Sequence, residues 1–334
     1  MKRSLQRIST MHHYAMHHYV LIFMLSAALL PACDKNALSS ATSRSTTAEQ
    51  AQAQTVTPQL SLGLGDGVNL QPSYYNSGNV NFGWSLMKSN TKIKTVRIEI
   101  EPTVSITTVK SWISQARSNG FSVIATYHKA SVLGSDNVSD LLAAANWWKA
   151  NYSSLASAGS FTVNLMNEWG DHNLTASAYA SAYNQAIPIV RTVYSGTIII
   201  DCSGWGQETH IAAEAILGTG GTKISDGNII PSVHVYPNGW NQALNHNLQN
   251  SDLDDLASAG KGGIIGEFGN SPSGSVNWSG IVTYAKSSKG WTVLGWAWNG
   301  DGGSMNMVTP SWSSDATATS FSESSYFNTV YSLL

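Results

Sequence analysis

From residue 59 to the end, the chain alternates between short apolar runs and stretches with helical spacing. The runs, rich in Val, Ile and Thr, fall at 59–64, 94–100, 121–127, 161–167, 197–202, 229–236, 262–267 and 291–298. Their length and β-branched content predict strands covered on both faces. Between them, Val109, Trp112, Ile113 and Ala116 recur at helical intervals, as do Val138, Leu141, Leu142, Ala145 and Trp148, and again Tyr179, Ala182, Tyr183, Ala186 and Val190. Each set makes one apolar helix face. Gly120 is placed to stop the first of these helices, and Pro188 predicts a kink or a late start in the third.

Strand alternating with helix predicts a mostly parallel sheet with helices outside it. Eight repeats over about 275 residues match the size of a (β/α)8 TIM barrel, an α/β fold in one domain. A doubly wound open sheet would need a G-x-G-x-x-G turn after its first strand. Here Gly63-Leu64-Gly65-Asp66-Gly67 leads into a polar loop instead.

In a (β/α)8 barrel the chemistry sits at the C-terminal ends of the strands. Arg97 lies on the second run, with Glu99 and Glu101 on the same face. His128 follows the third, Asn167 and Glu168 close the fourth, and Trp205 follows the fifth. His234 and Tyr236 close the sixth, Glu267 closes the seventh, and Trp296 and Trp298 close the eighth. A carboxylate at the end of a buried strand is costly unless it has partners. Two of them at equivalent strand ends, Glu168 and Glu267, suit glycoside hydrolysis, which needs one protonated and one ionised carboxyl across a sugar ring. Two unrelated salt bridges would leave the same pattern.

Composition narrows the choice. Charged residues make up 11% of the chain and the net charge is −2, with no basic run, which excludes a nucleic-acid footprint. The 12 Trp and 13 Tyr exceed what a core demands. Exposed aromatic faces hold sugar rings by the stacking that also holds bases, although packing accounts for most tryptophans.

The first 33 residues read as an export leader: Lys2, Arg3 and Arg7, an apolar run from Val20 to Leu30, then Leu30-Pro31-Ala32-Cys33. Ending on Leu-x-Ala-Cys, it resembles a bacterial lipoprotein signal, which implies that Cys33 carries lipid; plain secretion is the alternative. The repeated Met-His-His-Tyr at 11–14 and 16–19 precedes the apolar run and would leave with the leader, so it is not read as a metal site. Residues 34–58, mostly Ser, Thr, Ala and Gln, predict a disordered tether. With Cys33 lipidated, Cys202 has no disulfide partner and is expected as a buried small hydrophobe.

The ordered set Arg97, His128, Asn167-Glu168, His234-x-Tyr236, Glu267 and Trp296 resembles glycoside hydrolase family 5, over the whole of residues 59–334. Within that family, Leu165 to Gly170, Ile265 to Gly269 and Gly295 to Gly300 look most like the endo-β-1,4-mannanase branches, with endoglucanases as near neighbours. The loop Gln71-Pro72-Ser73-Tyr74-Tyr75 departs from the mannanase pattern. The resemblance implies a retaining mechanism with Glu168 as general acid and base and Glu267 as nucleophile, held by Arg97 and Tyr236. It implies Asn167 on the sugar 2-hydroxyl, His128 and His234 beside the reacting sugar, and Trp296 beneath it. Trp298 is expected in the barrel wall, and Trp169, Trp205 and Trp240 either as outer-subsite contacts or as packing at the rim.

Glu99 and Glu101, the latter followed by Pro102, are read as a polar strand end beside the groove. Asp171-His172 and Asp301-Gly302 lack the ligand spacing of a calcium loop, so neither metal nor cofactor is expected. A non-catalytic carbohydrate-binding lipoprotein would have no use for the two glutamates, and a metal-dependent barrel hydrolase would want His-x-His on strand one. The expected partner is a β-1,4-linked polysaccharide, met by a monomer whose membrane contact is a lipid at Cys33, in the cell envelope or secreted. Several acyl chains at about 0.8 kcal/mol per buried CH₂ suffice for anchoring. Detergent phase partitioning tests this: the wild type should enter the detergent phase and Cys33→Ser the aqueous phase, and equal aqueous partitioning would leave an ordinary secretory leader.

Overall fold

The structure, a computed structural model, describes residues 63–334. The leader, Cys33, the tether and residues 59–62 lie outside the described residues. Eight parallel strands close a barrel: β1 (Gly67–Leu70), β2 (Thr95–Ile100), β3 (Ser122–Tyr127), β4 (Thr162–Asn164), β5 (Ile198–Asp201), β6 (Ile229–Val235), β7 (Ile264–Phe268) and β8 (Thr292–Asn299). Each barrel strand pairs with its sequence neighbours, and β1 pairs with both β2 and β8, so the barrel has no open edge. The helices that follow the strands are α1 (Trp84–Ser89), α2 (Ile106–Ser118), α3 (Val138–Ala156), α4 (Ala176–Arg191), α5 (Thr209–Leu217), α6 (Asn250–Ser258), α7 (Trp278–Lys289) and α8 (Phe327–Tyr331). The (β/α)8 expectation holds.

The predicted stripes are the buried faces of the helices. Val109, Trp112, Ile113 and Ala116 of α2 are buried, as are Leu141, Ala145 and Trp148 of α3 and the five predicted positions of α4. Side-chain caps from Ser105, Asn137 and Thr175 start these three helices. Helix α4 starts early, at Ala176, and runs through Pro188 to Arg191. A proline three residues from the end removes a single backbone bond, so no late start is needed.

Strand one is the correction. Of the run at 59–64, expected as the first strand, only 63 and 64 are described, and they lie ahead of the strand; β1 is the less apolar Gly67-Val68-Asn69-Leu70. Gly67 is required there, since a Cβ would sit 1.8 Å from the Thr95 carbonyl oxygen. Leu64, just ahead of the strand, packs against Ile124, Ile199, Ile230, Ile264 and Leu294, a plug drawn from five strands that fills the N-terminal end of the barrel. The polar Asn69 points inward and donates to the carbonyls of Gly266, Leu294 and Gly295, which is why its strand carries so little apolar signal.

Above the plug the interior turns polar. Asn69, Arg97, Glu99, Thr126, Asn164, Asp201, Ser232 and His234 have no exposed surface. Outside the barrel, Trp298 is buried with its indole N–H donated to the Phe82 carbonyl, in the wall as expected. Cys202 is buried, and burial pushes its thiol pKa up, as expected of an unreactive cysteine.

Candidate active site

A cavity of about 440 Å³ opens at the C-terminal end of the barrel, lined among others by Gln71, Tyr74, His128, Asn167, Glu168, Tyr236, Glu267 and Trp296. Six of the eight residues expected to touch or cleave the substrate in the reacting subsite reach it; Arg97 and His234 lie behind the wall.

Arg97 organises the floor. It has no exposed surface, and its Nη1 donates to Asn69 Oδ1 (2.9 Å), Glu99 Oε1 (2.8 Å) and Glu267 Oε1 (2.9 Å). Nε donates to Asn164 Oδ1 at 3.0 Å, and Nη2 donates to Asn167 Oδ1 and lies 3.5 Å from Asp201 Oδ2. Grouped by the resemblance with the substrate-binding residues and expected to hold Glu267, it does the latter only, as a positioning residue, because no face of the guanidinium is open to a ligand. By taking Asn167 Oδ1 it leaves the amide N–H groups as what Asn167 presents to the cavity.

Glu267 is clamped on both oxygens. Oε1 accepts from Arg97, and Oε2 accepts from the Tyr236 hydroxyl at 2.8 Å. Glu168 stands opposite. Its Oε1 bonds His234 Nδ1 at 2.9 Å, and Nδ1 also lies 3.6 Å from Glu267 Oε2. His234 has no exposed surface, so it braces the two carboxyls and cannot bind a sugar hydroxyl. One potential ligand atom each from Glu168, His234 and Glu267 falls within 4.8 Å of the others, a spacing that these hydrogen bonds account for.

The backbone at Glu168 is unusual. Its φ is 49°, a left-handed conformation rare for a long side chain. Two bonds hold it there: Glu168 N–H donates to Asp201 Oδ2 (3.0 Å), and Gly134 N–H donates to the Glu168 carbonyl (2.8 Å). Asp201 also accepts from Asn164 Nδ2 at 3.0 Å. Asp201 carries no family motif that would single it out in the sequence, although it closes the run Ile198-Ile199-Ile200 as Glu168 and Glu267 close theirs.

Electrostatics follow from the packing. Burial pushes the Glu168 carboxyl up to about 7, helped by the charge of Asp201 and opposed by Arg97. Burial raises Glu267 to about 7 as well, opposed by His234 and Arg97 and helped by Glu168. Two close carboxyls titrate as a pair. The donors decide where the shared proton rests. Arg97 and Tyr236 favour the ionised form of Glu267, which leaves Glu168 as the natural proton carrier.

His128 lines the cavity, but both ring nitrogens face protein groups: Nδ1 lies 2.6 Å from the Tyr74 hydroxyl and Nε2 lies 3.3 Å from Glu99 Oε2. Burial lowers its pKa to about 4, so the ring is neutral at neutral pH. Glu99 is part of the buried network, accepting from Arg97 and from Gln71 Nε2, and burial raises it to about 7. Glu101 is half-buried at the rim and accepts from Tyr74. Tyr74 and Gln71 were missed because their loop matched no expected pattern.

The tryptophans separate cleanly. Trp296 lines the cavity, its indole N–H held by Asp301 Oδ1 at 3.0 Å. Trp205 is 40% exposed. Trp169, expected in an outer subsite, is fully buried: it donates to the Asn137 carbonyl and packs on Tyr179 and Tyr183, so no face is open to a sugar. Trp240 is half-buried in a hairpin after β6, its backbone N–H bonded to Gln207 Oε1.

Comparison with known proteins bears on the fold and the family. The chain is 26% identical over 213 residues to a mannan endo-1,4-beta-mannosidase of Streptomyces lividans, an alignment covering 61% of this chain and 53% of that protein. It therefore spans about half the length of the curated relative it matches. Among solved structures, a β-mannanase from Streptomyces thermolilacinus superimposes with a TM-score of 0.62 at 20% identity, over 80% of this chain and 88% of that one. The catalytic domain of a Thermobifida fusca endoglucanase gives the same TM-score at 15% identity, over 80% and 90%. These two likenesses show the fold. The family model described as cellulase (glycosyl hydrolase family 5) matches residues 79–302, well over half of the sequence, and the chain belongs to that family.

Proposed function

We propose that this chain hydrolyses internal β-1,4 linkages of mannan-type polysaccharides by double displacement, with Glu267 as nucleophile and Glu168 as general acid and base. The observation that carries the proposal is the unequal treatment of two facing carboxyls: Glu267 accepts from Arg97 and Tyr236, whereas Glu168 bonds only His234 among these three donors. In the first step Glu168 protonates the glycosidic oxygen while Glu267 attacks the anomeric carbon and forms a glycosyl ester. In the second, Glu168 takes a proton from water, which attacks the same carbon and releases Glu267. A separation of less than 4.8 Å between their nearest oxygens supports retention, since inverting pairs stand about 6.5–9.5 Å apart with a water between. Asn167, with its N–H groups toward the cavity, is the donor for the sugar 2-hydroxyl, and Trp296 is the stacking floor.

Mannan is favoured by the named activity of the curated relative and by the run Trp296 to Gly303, which resembles mannanases and lacks the lysine-bearing turn of many family cellulases. An endo-β-1,4-glucanase is the second reading, supported by the equal superposition on an endoglucanase. Mannose and glucose differ only at C2, and a site built to bond a hydroxyl discriminates by its position. Comparing kcat/KM on mannohexaose and cellohexaose should favour the mannose oligomer; a preference for cellohexaose would overturn the substrate and keep the catalytic assignment.

Glu267→Ala and Glu168→Ala should each cut turnover by several orders of magnitude with the fold intact. Azide should rescue Glu267→Ala with an inverted glycosyl azide and Glu168→Ala with a retained one. Near-wild-type turnover in either variant would sink the assignment.

Tyr236→Phe removes a donor from ionised Glu267, which raises the nucleophile's pKa. The acid limb of the kcat/KM profile should therefore move to higher pH, by about one unit for one charge-assisted hydrogen bond. An acid limb at lower pH would contradict the role given to Tyr236.

A further inference from the structure

Three carboxyl groups bond or face Arg97, and two of them have a part in the proposed chemistry: Glu267 as the nucleophile, and Asp201 as the group that fixes the Glu168 backbone. Glu99 is the third, and it has none. It has no exposed surface, and burying a carboxyl is costly. Its Oε1 accepts from Arg97 Nη1 at 2.8 Å, the same nitrogen that donates to Glu267 Oε1 at 2.9 Å and to Asn69 Oδ1 at 2.9 Å. A terminal guanidinium nitrogen carries two N–H groups, so three acceptors compete for two protons.

The other side of Glu99 leads away from the catalytic pair. Its Oε2 accepts from Gln71 Nε2 at 2.9 Å and lies 3.3 Å from His128 Nε2. His128 Nδ1 lies 2.6 Å from the Tyr74 hydroxyl, which lies 3.0 Å from Glu101 Oε2, where the Ala130 backbone N–H also donates. Counting protons along this chain leaves two arrangements. His128 is neutral and has one N–H, and Tyr74 has one hydroxyl proton. With Glu99 ionised, the imidazole proton sits on Nε2, Tyr74 donates to Nδ1, and Glu101 loses the Tyr74 donor. With Glu99 protonated, Glu99 donates to Nε2, Nδ1–H donates to the Tyr74 oxygen, and Tyr74 donates to Glu101.

Burial raises the Glu99 carboxyl to about 7, opposed by Arg97 and Gln71 and helped by the charge of Glu168, so both arrangements are within reach near neutral pH. The charged and titratable groups that face Glu99 and His128 are Arg97 on β2, Glu101 just after it, Tyr74 after β1, Glu168 after β4, His234 on β6 and Glu267 on β7.

We infer that Glu99 is a positioning residue for the nucleophile: ionised, it draws Arg97 Nη1 away from Glu267; protonated, it yields that nitrogen, and the His128–Tyr74–Glu101 chain favours the protonated form. The inference rests on the glycosidase reading above. Glu99 touches no substrate atom and acts through Arg97 alone. As pH falls, Glu99 takes up a proton, Arg97 is left to Glu267, and the nucleophile stays ionised to lower pH than beside a fixed negative charge.

The test is the acid limb of the kcat/KM profile on mannohexaose and cellohexaose, which reports the free enzyme. Glu99→Gln is neutral at every pH and removes the competing charge. Its acid limb should move to lower pH by about one unit, the size of one carboxylate removed from close range, opposite in direction to Tyr236→Phe. Glu101→Leu leaves His128 Nδ1 as the acceptor of the Tyr74 proton and so holds Glu99 ionised. Its acid limb should move to higher pH, and the same change made in Glu99→Gln should move nothing. Loss of the Glu101 charge by itself would lower neighbouring carboxyl pKa values, so an upward shift reads the chain. An acid limb unmoved or raised in Glu99→Gln would overturn the inference, as would a Glu101→Leu shift that persists in the Glu99→Gln background. Should Glu99→Gln not fold, Glu101→Leu decides, and the absence of an upward shift there overturns it. A wild type inactive on both oligomers would refute the glycosidase reading itself, and with it this one.

Discussion

A guanidinium without exposed surface is the constraint around which the upper half of this barrel is built. Arg97 bonds or faces Asn69, Glu99, Asn164, Asn167, Asp201 and Glu267, drawn from strands β1, β2, β5 and β7, from β4 and from the turn that follows it. A buried ion pair adds little net stability, but breaking one is costly, about 3–5 kcal/mol, because it strands the partner's charge. Here one arginine is shared by three carboxylates, so the network tolerates loss at no corner. The charge that satisfies the barrel interior also aligns Glu267 and favours its ionised form against the burial that raises its pKa.

Both glutamates are raised to about 7, by burial above all, so what separates them is their hydrogen-bond donors. Arg97 and Tyr236 converge on Glu267, while Glu168 is left with His234. Asp201 adds the second distinction. Its carboxylate raises the pKa of Glu168 and, through the backbone N–H, pins Glu168 in a left-handed conformation. One side chain thus bears on both position and protonation, adding to the burial that raises the Glu168 pKa.

Aromatic residues divide by the same logic of what surrounds them. Trp112, Trp148, Trp169, Trp298 and Trp312 are fully buried, and all five give their indole N–H to a backbone carbonyl: Trp112 to Gly78, Trp148 to Leu165, Trp169 to Asn137, Trp298 to Phe82 and Trp312 to Asn81. Trp296 keeps a face in the cavity because Asp301 holds its edge. Trp205 is largely outside, with one edge of its indole against Gly134, where a Cβ would come within 2.3 Å.

By itself, the sequence determined the alternation of strands and helices, the closed barrel and the two carboxylates at the ends of β4 and β7. Period and strand-end position are local properties, carried by residues within a few places of one another. It misplaced β1, because a strand that must admit the Thr95 carbonyl and offer an amide to three others is built from Gly67 and Asn69 and carries little apolar signal. It also overlooked Asp201, whose strand-end position matched that of the glutamates but whose partners lie on other strands. Only the tertiary structure decided that Trp169 is core and Trp205 is surface, that His234 braces the carboxyls behind the cavity wall, and that Arg97 never meets a ligand. Those outcomes depend on which side chains converge from strands far apart in sequence, and convergence of that kind has no periodicity to betray it.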